Sequence, residues 1–254
     1  MGNYALSGKT ALVIGSGGHL MSPIALKIAS EGVFVYVADV RLNDAQKTSN
    51  LINASGFNSS PLEIDVSSDE SLLQAKKHIE LQNHHVDFLL NGAGINAPTP
   101  FFEIEREEWH KILEIQLIGV AMACSIFGRS MVERKFGSII NISSASANPP
   151  LSKAFAYSAA KSAVLNFTKN LSREFGETGV RVNAIRPGFF PTKWNLENFI
   201  DEKRKNDILG HTPMKRFGAP EELTGAVLWL LSDQASFVTG SEIAIDGGFS
   251  AMSI

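Results

Sequence analysis

The sequence predicts an α/β fold: one doubly wound, mostly parallel sheet of about seven strands with helices on both faces. Short apolar, β-branched runs alternate with helical patterns along the whole chain. Several of these runs are continuously apolar, as strands are when helices cover both sheet faces. A glycine-rich turn follows the first of them, where such sheets bind ligands. With 254 residues and 44% apolar content, the chain can bury a full core as a single domain, 1–254.

The strand-like runs are Thr10 to Ile14, Val33 to Ala38, Pro61 to Ile64, Val86 to Leu90, Ser138 to Ile142, Val180 to Ile185 and Glu242 to Ile245. Helical patterns between them include Ile24 to Ser30, Ser71 to Ile79, Trp109 to Val132, Ala156 to Phe175 and Glu221 to Leu231. In the first turn, Ile14 to Pro23, Ser22 and Pro23 resemble an N-cap and a first helical residue, which sets the helix start there. Free N–H groups and the positive end of the helix dipole would make that start an anion site. No repeat, low-complexity segment or linker interrupts the pattern.

A net charge of −3 leaves no electrostatic footprint for nucleic acid. Before the first strand the chain reaches Lys9 without an apolar run of signal-peptide or membrane-span length, so a cytoplasmic protein without a membrane partner is expected. The single Cys124 excludes an intrachain disulfide and a multi-cysteine zinc site, and reads as a core residue. His84 and His85 are sequence neighbours that point in different directions, and no metal site is expected.

The chemistry gathers between Gly137 and Lys169. A strand delivers Ser144 near its end, and Tyr157 and Lys161 stand four residues apart on one face of the next helix. An ammonium beside a phenol favours the phenolate and brings proton transfer within range at neutral pH. A hydroxyl at Ser144 can stabilise charge developing on a substrate oxygen.

This segment, with Tyr157 thirteen positions after Ser144, resembles the catalytic segment of the short-chain dehydrogenases/reductases, and the resemblance extends over essentially the whole chain. It implies a Rossmann-type domain that transfers a hydride between nicotinamide and a carbonyl or secondary alcohol. Tyr157 would be the acid/base, Lys161 would lower its pKa and hold the cofactor ribose, and Ser144 would polarise the reacting oxygen. Family members usually place glycines at the positions of Gly15, His19 and Met21; only Gly15 matches, and His19 and Met21 should crowd the phosphate and the helix–strand contact. Gly17 and Gly18 restore flexibility and His19 could donate to a phosphate, so Gly15, Gly18, His19 and Leu20 are the phosphate candidates.

Asp39, some two dozen residues after Gly15, can accept both ribose hydroxyls of NAD and would repel the extra phosphate of NADP. Arg41 could instead pair with that phosphate, leaving NADP as the second choice. Asp65 and Val66 resemble the adenine-contacting pair, although Asp65 also reads as an ordinary helix-preceding Asp. Asn91, Ala93 and Gly94 belong to a run close to the family's Asn-Asn-Ala-Gly. Gln116 stands where an Asn usually holds a water-linked proton path to the Lys; otherwise it is a polar residue on an exposed helix face. Pro187, Gly188, Phe190 and Thr192 match the segment covering the nicotinamide.

A substrate lid is expected at about 189–216, where Trp194, Lys203, Arg204, Lys205, His211, Lys215 and Arg216 would suit a small polar anion such as a sugar acid, or else form a solvated basic helix. Among relatives, the chain looks most like sugar-acid oxidoreductases of the fructuronate/mannonate type, with gluconate dehydrogenases and 3-oxoacyl carrier-protein reductases as near competitors. Helices with more than one apolar stripe, and the family habit, imply a homotetramer. The rival reading is a catalytically impaired member acting as a dinucleotide-binding or regulatory protein, for which His19, Met21 and Gln116 speak.

Overall fold

The computed structural model describes residues 4–192, 196 and 200–252. Seven strands form one sheet: β1 (Thr10–Ile14), β2 (Phe34–Asp39), β3 (Ser59–Glu63), β4 (Phe88–Asn91), β5 (Gly137–Ile142), β6 (Val180–Pro187) and β7 (Glu242–Ile245). Their order is β3-β2-β1-β4-β5-β6-β7, and every neighbouring pair is parallel. The chain departs from β1 toward β2 on one side and returns to β4 on the other. The crevice that such a reversal opens at the carboxyl ends of the strands lies between Gly15 and Gly92.

Every residue of β1 and β5 is buried, which explains the continuous apolar run of β1. Successive side chains serve opposite faces. Ala11 and Val13 join Ile24 and Ile28 of helix α1 (Met21–Ser30), together with Val227, Leu228 and Leu231 of the helix Thr224–Leu231. Leu12 and Ile14 face Leu72 and Ile79 of α3 (Asp69–Leu81), and Phe127 and Met131 of α5 (Gly119–Arg134) belong to the same layer. Helices α2 (Leu42–Ala54), α4 (Arg106–Leu113) and α6 (Phe155–Phe175), and the helix Glu202–His211, complete the described helical set.

Two expected boundaries move. Helix α1 starts at Met21, behind Leu20, which is itself helical and makes no side-chain cap. Ser22 lies inside the helix, its N–H donating to the Gly18 carbonyl (3.0 Å), because its hydroxyl is taken up by Thr48 of α2 (3.0 Å) and is not capping. Pro23 then falls in the first turn, where its missing N–H costs nothing. The stretch expected as one helix from Trp109 to Val132 is interrupted by a π turn, Glu114–Ile118, whose extra residue per turn carries Gln116 inward. By length and composition the segment Arg106–Arg134 could cross a membrane, but Val120, Ala123, Cys124, Phe127 and Met131 are spent on the core.

Candidate active site

The turn after β1 is shaped by one glycine that nothing else can replace. Gly15 has φ +80°, and a Cβ there would stand 2.7 Å from the Ala93 nitrogen and 2.8 Å from the Gly92 carbonyl, all backbone atoms that cannot step aside. The glycine turn and the turn after β4 therefore touch main chain to main chain. Helix α1 begins immediately beyond, with no acidic residue in its first turn and no side chain capping its amides. Such an end presents unsatisfied N–H groups and a positive dipole to an anion.

Met21 does not crowd the helix–strand contact as expected. His19 is exposed. Met21 is 2% exposed and turned toward β4, where a Cβ on Gly92 would lie 2.5 Å from its Sδ. The bulk added by Met21 is thus received by the missing side chain of Gly92, a complementarity visible only when the two turns are brought together.

Asp39 ends β2 almost fully buried, its two carboxylate oxygens accepting the N–H groups of Gly17 (3.2 Å) and Arg41 (3.1 Å). The guanidinium of Arg41 leans on Asp44, with Nε 2.5 Å from Oδ2. Asp65 accepts the N–H and hydroxyl of Ser67 (2.9 and 2.6 Å), while Ser68 caps α3, so Asp65 shapes the turn and leaves the cap to its neighbour. Val66 is buried; a Cβ on Gly119 would meet its side chain at 2.8 Å. Asn91 donates to Asn141 (2.9 Å) and to the sulfur of Cys124 (3.3 Å), and Asn141 donates on to Thr168 (3.0 Å). This buried polar chain ties β4 and β5 to α6, and confirms Cys124 as a core residue.

Gln116 is fully buried, against the alternative of an exposed helix face. Its Nε2 donates to the Ile95 carbonyl (2.6 Å), its Oε1 has no partner among the described residues, and a Cβ on Gly94 would strike the amide at 2.7 Å. The extra methylene relative to Asn is accommodated by the π turn and by Gly94.

Ser144, Tyr157 and Lys161 converge as the spacing requires. Ser144 caps the short turn Ala145–Ala147 just beyond β5, its hydroxyl accepting the N–H and hydroxyl of Ser146 (both 3.1 Å). The Ser144 hydroxyl lies close enough to Tyr157 to hold its pKa down in part. Lys161, 4% exposed, donates from Nζ to the Ile142 carbonyl (2.6 Å), while the Ser143 hydroxyl donates to the Lys161 carbonyl (3.0 Å). Nζ lies 5.7 Å from the Tyr157 ring centre. The electrostatics run opposite to the sequence expectation of a lowered phenol pKa. Burial pushes the Tyr157 hydroxyl above its usual 10, only partly offset by the nearby Ser144 hydroxyl. Burial also pushes the Lys161 ammonium down to about 7.

Pro187 ends β6, and Gly188 packs against Asp246, where a Cβ would stand 2.6 Å from the Asp246 Cα. Phe190 fills the space left by Gly218, and Thr192 follows, half-buried. Phe189 and His211 both pack on Phe249, with ring centres at 5.2 and 4.7 Å. Arg186, unmarked in the sequence, binds Glu242 (2.9 Å), the Asn148 carbonyl (3.1 Å) and Ser250 (2.8 Å), joining β7, the segment beyond Ser144 and the C-terminal turn. Three of the expected lid cations are spent on surface carboxylates: Lys203 on Asp207 (2.7 Å), Lys205 on Glu202 (3.2 Å) and Arg216 on Glu222 (2.6 Å). Lys215 donates to the Gly210 carbonyl, and Trp194 lies outside the described residues. Arg204 and His211 are half-buried and form no ion pair with a carboxylate among the described residues.

A parallel sheet with a glycine turn at its switch point, and a Ser–Tyr–Lys group one strand away, is the arrangement of a nicotinamide-dependent oxidoreductase. The chain belongs to the short-chain dehydrogenase/reductase family, residues 22–250 matching the family model described as Enoyl-(Acyl carrier protein) reductase. It is 38% identical to the protein of Bacillus subtilis (strain 168) named uncharacterized oxidoreductase UxuB, over 98% of this chain and 97% of that one. Among solved structures, a provisionally assigned D-mannonate oxidoreductase from Haemophilus influenza with bound NAD superposes with a TM-score of 0.93 at 33% identity, covering 99% of both chains. A gluconate 5-dehydrogenase from Burkholderia cenocepacia J2315, in complex with NADP and tartrate, gives a TM-score of 0.93 at 28% identity, covering 99% of this chain and 98% of that one.

Proposed function

We propose that the protein interconverts a secondary alcohol and a carbonyl on a small polar substrate, a sugar acid, with NAD as its cofactor and Tyr157 as general acid/base. The observation that carries the reading is the placement of Ser144 just beyond β5 beside Tyr157 and buried Lys161 of α6. When bound, the nicotinamide ring supplies or accepts the hydride. Tyr157, its pKa raised, keeps its proton at neutral pH and donates it to the substrate oxygen in the reducing direction. Ser144 donates a hydrogen bond to the same oxygen. Lys161 holds the ribose and, with Gln116 positioning the path through its unpartnered Oε1, returns a proton to Tyr157.

Gly15, Gly18, His19 and Leu20 receive the phosphates at the α1 N-terminus. Asp39 takes the adenosine ribose, Asp65 and Val66 flank the adenine, and Asn91, Ala93 and Gly94 line the path of the dinucleotide. Pro187, Gly188, Phe190 and Thr192 cover the nicotinamide. Asp39 favours NAD over NADP because a 2′-phosphate would meet a carboxylate. The sugar-acid assignment is supported by the names of the gluconate and mannonate relatives and by Arg204 and His211 in the lid at about 189–216, which form no ion pair with a carboxylate among the described residues.

The whole chain, 1–254, serves as a single cytoplasmic domain that assembles as a homotetramer. The exposed face of α6, with Phe155 and Ala159, supports assembly, as do Phe101 and Phe102, which stack beside Phe155 at the surface (ring centres 5.1 Å for Phe101–Phe155).

The test joins a titration with NADH to turnover by Tyr157→Phe. Wild type is expected to bind NADH at micromolar concentration, and the variant to lose about 10²–10⁴-fold in turnover of a screened sugar acid while still binding NADH. Undiminished turnover by Tyr157→Phe would remove Tyr157 from the chemistry. Absence of NADH binding up to millimolar levels would favour the non-catalytic reading instead.

A further inference from the structure

Asp44 stands in the first turn of α2, where its residue type alone suggests only a charge complementing the helix dipole. Its place in the fold says more. A Cβ on Gly17 would lie 2.6 Å from the Asp44 Cβ and 2.9 Å from the Asp39 Oδ2, so the glycine turn is held between these two acids. Asp44 in turn holds two cations, Arg41 through Nε (2.5 Å) and Lys47 through Nζ (2.7 Å), one on each of its carboxylate oxygens. Both cationic side chains are largely exposed, 72% and 77%, and Arg41 follows Asp39 by two residues. They are therefore the positive charges best placed to swing onto an anion at the Asp39 corner, and both are occupied.

We propose that Asp44 is a specificity-determining residue for the cofactor: by engaging Arg41 and Lys47 with its two carboxylate oxygens it withholds both cations from a 2′-phosphate, so that this group meets Asp39 with no free cation beside it. This inference rests on the reading that the adenosine ribose sits at Asp39. Rejection of the 2′-phosphate then comes from two sources: repulsion by a buried carboxylate and removal of the compensating charges. Asp39 alone would leave the second open, because a free Arg two residues on could pair with the phosphate.

The experiment measures binding of NADH, NADPH, ADP and 2′,5′-ADP to wild type and to Asp44→Asn, by nicotinamide fluorescence and by calorimetry. In the variant the ratio of NADPH to NADH affinity is expected to rise about tenfold, the scale of one charge-assisted contact, and the ratio of 2′,5′-ADP to ADP affinity with it. The gain should shrink as salt is raised, since the freed cations are exposed. It should disappear when Arg41→Gln and Lys47→Gln are added to Asp44→Asn. Asp44→Ser, compared by circular dichroism, covers the case of a variant that folds poorly. Unchanged ratios in a folded Asp44 variant, or a gain that survives removal of both cations, overturn the proposal. A wild type that binds NADPH as tightly as NADH overturns the NAD preference assigned to Asp39, whereas the change in the 2′,5′-ADP ratio still decides the role of Asp44.

Discussion

Replacing Lys161 with Met should make the free protein more stable at slightly acidic pH while abolishing turnover. The ammonium is 4% exposed and its pKa is pushed from 10.5 to about 7 by burial. At about 1.4 kcal/mol per unit, keeping this group in the fold costs about 5 kcal/mol at pH 6 and about 2 kcal/mol at pH 9, where the folded state holds it neutral. Between about pH 7 and 10.5 the unfolded chain binds more protons than the folded one, so wild-type stability rises with pH across that window. Met is close in volume and removes the ammonium, but it leaves the Ile142 carbonyl without its donor, a loss of about 1–3 kcal/mol. The net expectation is a gain of about 2–4 kcal/mol at pH 6, seen as a rise of roughly 4–16 °C in Tm, and little change at pH 9. Thermal and urea unfolding followed by circular dichroism, at both pH values and without cofactor, measure it. A variant less stable than wild type at pH 6, or a difference that does not narrow toward pH 9, refutes the claim that burial of this charge dominates its energetics.

Two further outcomes follow from the packing and the surface. Gly92→Asn should destabilise the protein by about 1–3 kcal/mol, because its Cβ would enter the space of the Met21 side chain; adding Met21→Gly should recover part of that loss, with a coupling of about 1 kcal/mol in a double-mutant cycle of urea midpoints. Additive losses would show that the two turns are independent. Light scattering at micromolar concentration should give the mass of a tetramer, and Phe155→Glu on the exposed face of α6 should lower it; a monomeric wild type would remove the tetramer from the proposal.

The sheet was legible because its strands carry the signature of two-sided burial, and the Ser144, Tyr157 and Lys161 group because a strand end and one helix face fix those positions through local geometry. Residues whose roles depend on contact between distant turns were harder to read. Met21 looked like an obstruction because the room made for it belongs to Gly92, about seventy positions away in the chain. Gln116 was picked out by its place at the relay position, but its burial was not legible, because a π turn has no strong signal in residue type and only the widened turn brings its amide inside. The direction of the Tyr157 pKa was misjudged for a related reason. Spacing announces that an ammonium is near a phenol, but not how far the fold withdraws each from water, and it is that desolvation which raises the Tyr157 pKa and lowers that of Lys161. Asp44 escaped notice because a charge in a first helical turn has an ordinary explanation, and what it touches across the glycine turn is not written nearby.

Two of the hydrogen bonds that join the end of β5 to α6 run in opposite senses: Ser143 reaches up to the Lys161 carbonyl, and Lys161 reaches back to the Ile142 carbonyl. A helix fastened this way can neither slide along the strand nor roll about its axis without losing both bonds at once. The separation of Tyr157 from Ser144 is therefore settled during folding, and the alignment that a reaction in solution must find by chance is already in place when a substrate arrives. Loosening either bond would leave a protein that still collects its ligands but meets them with its acid and its donor out of step.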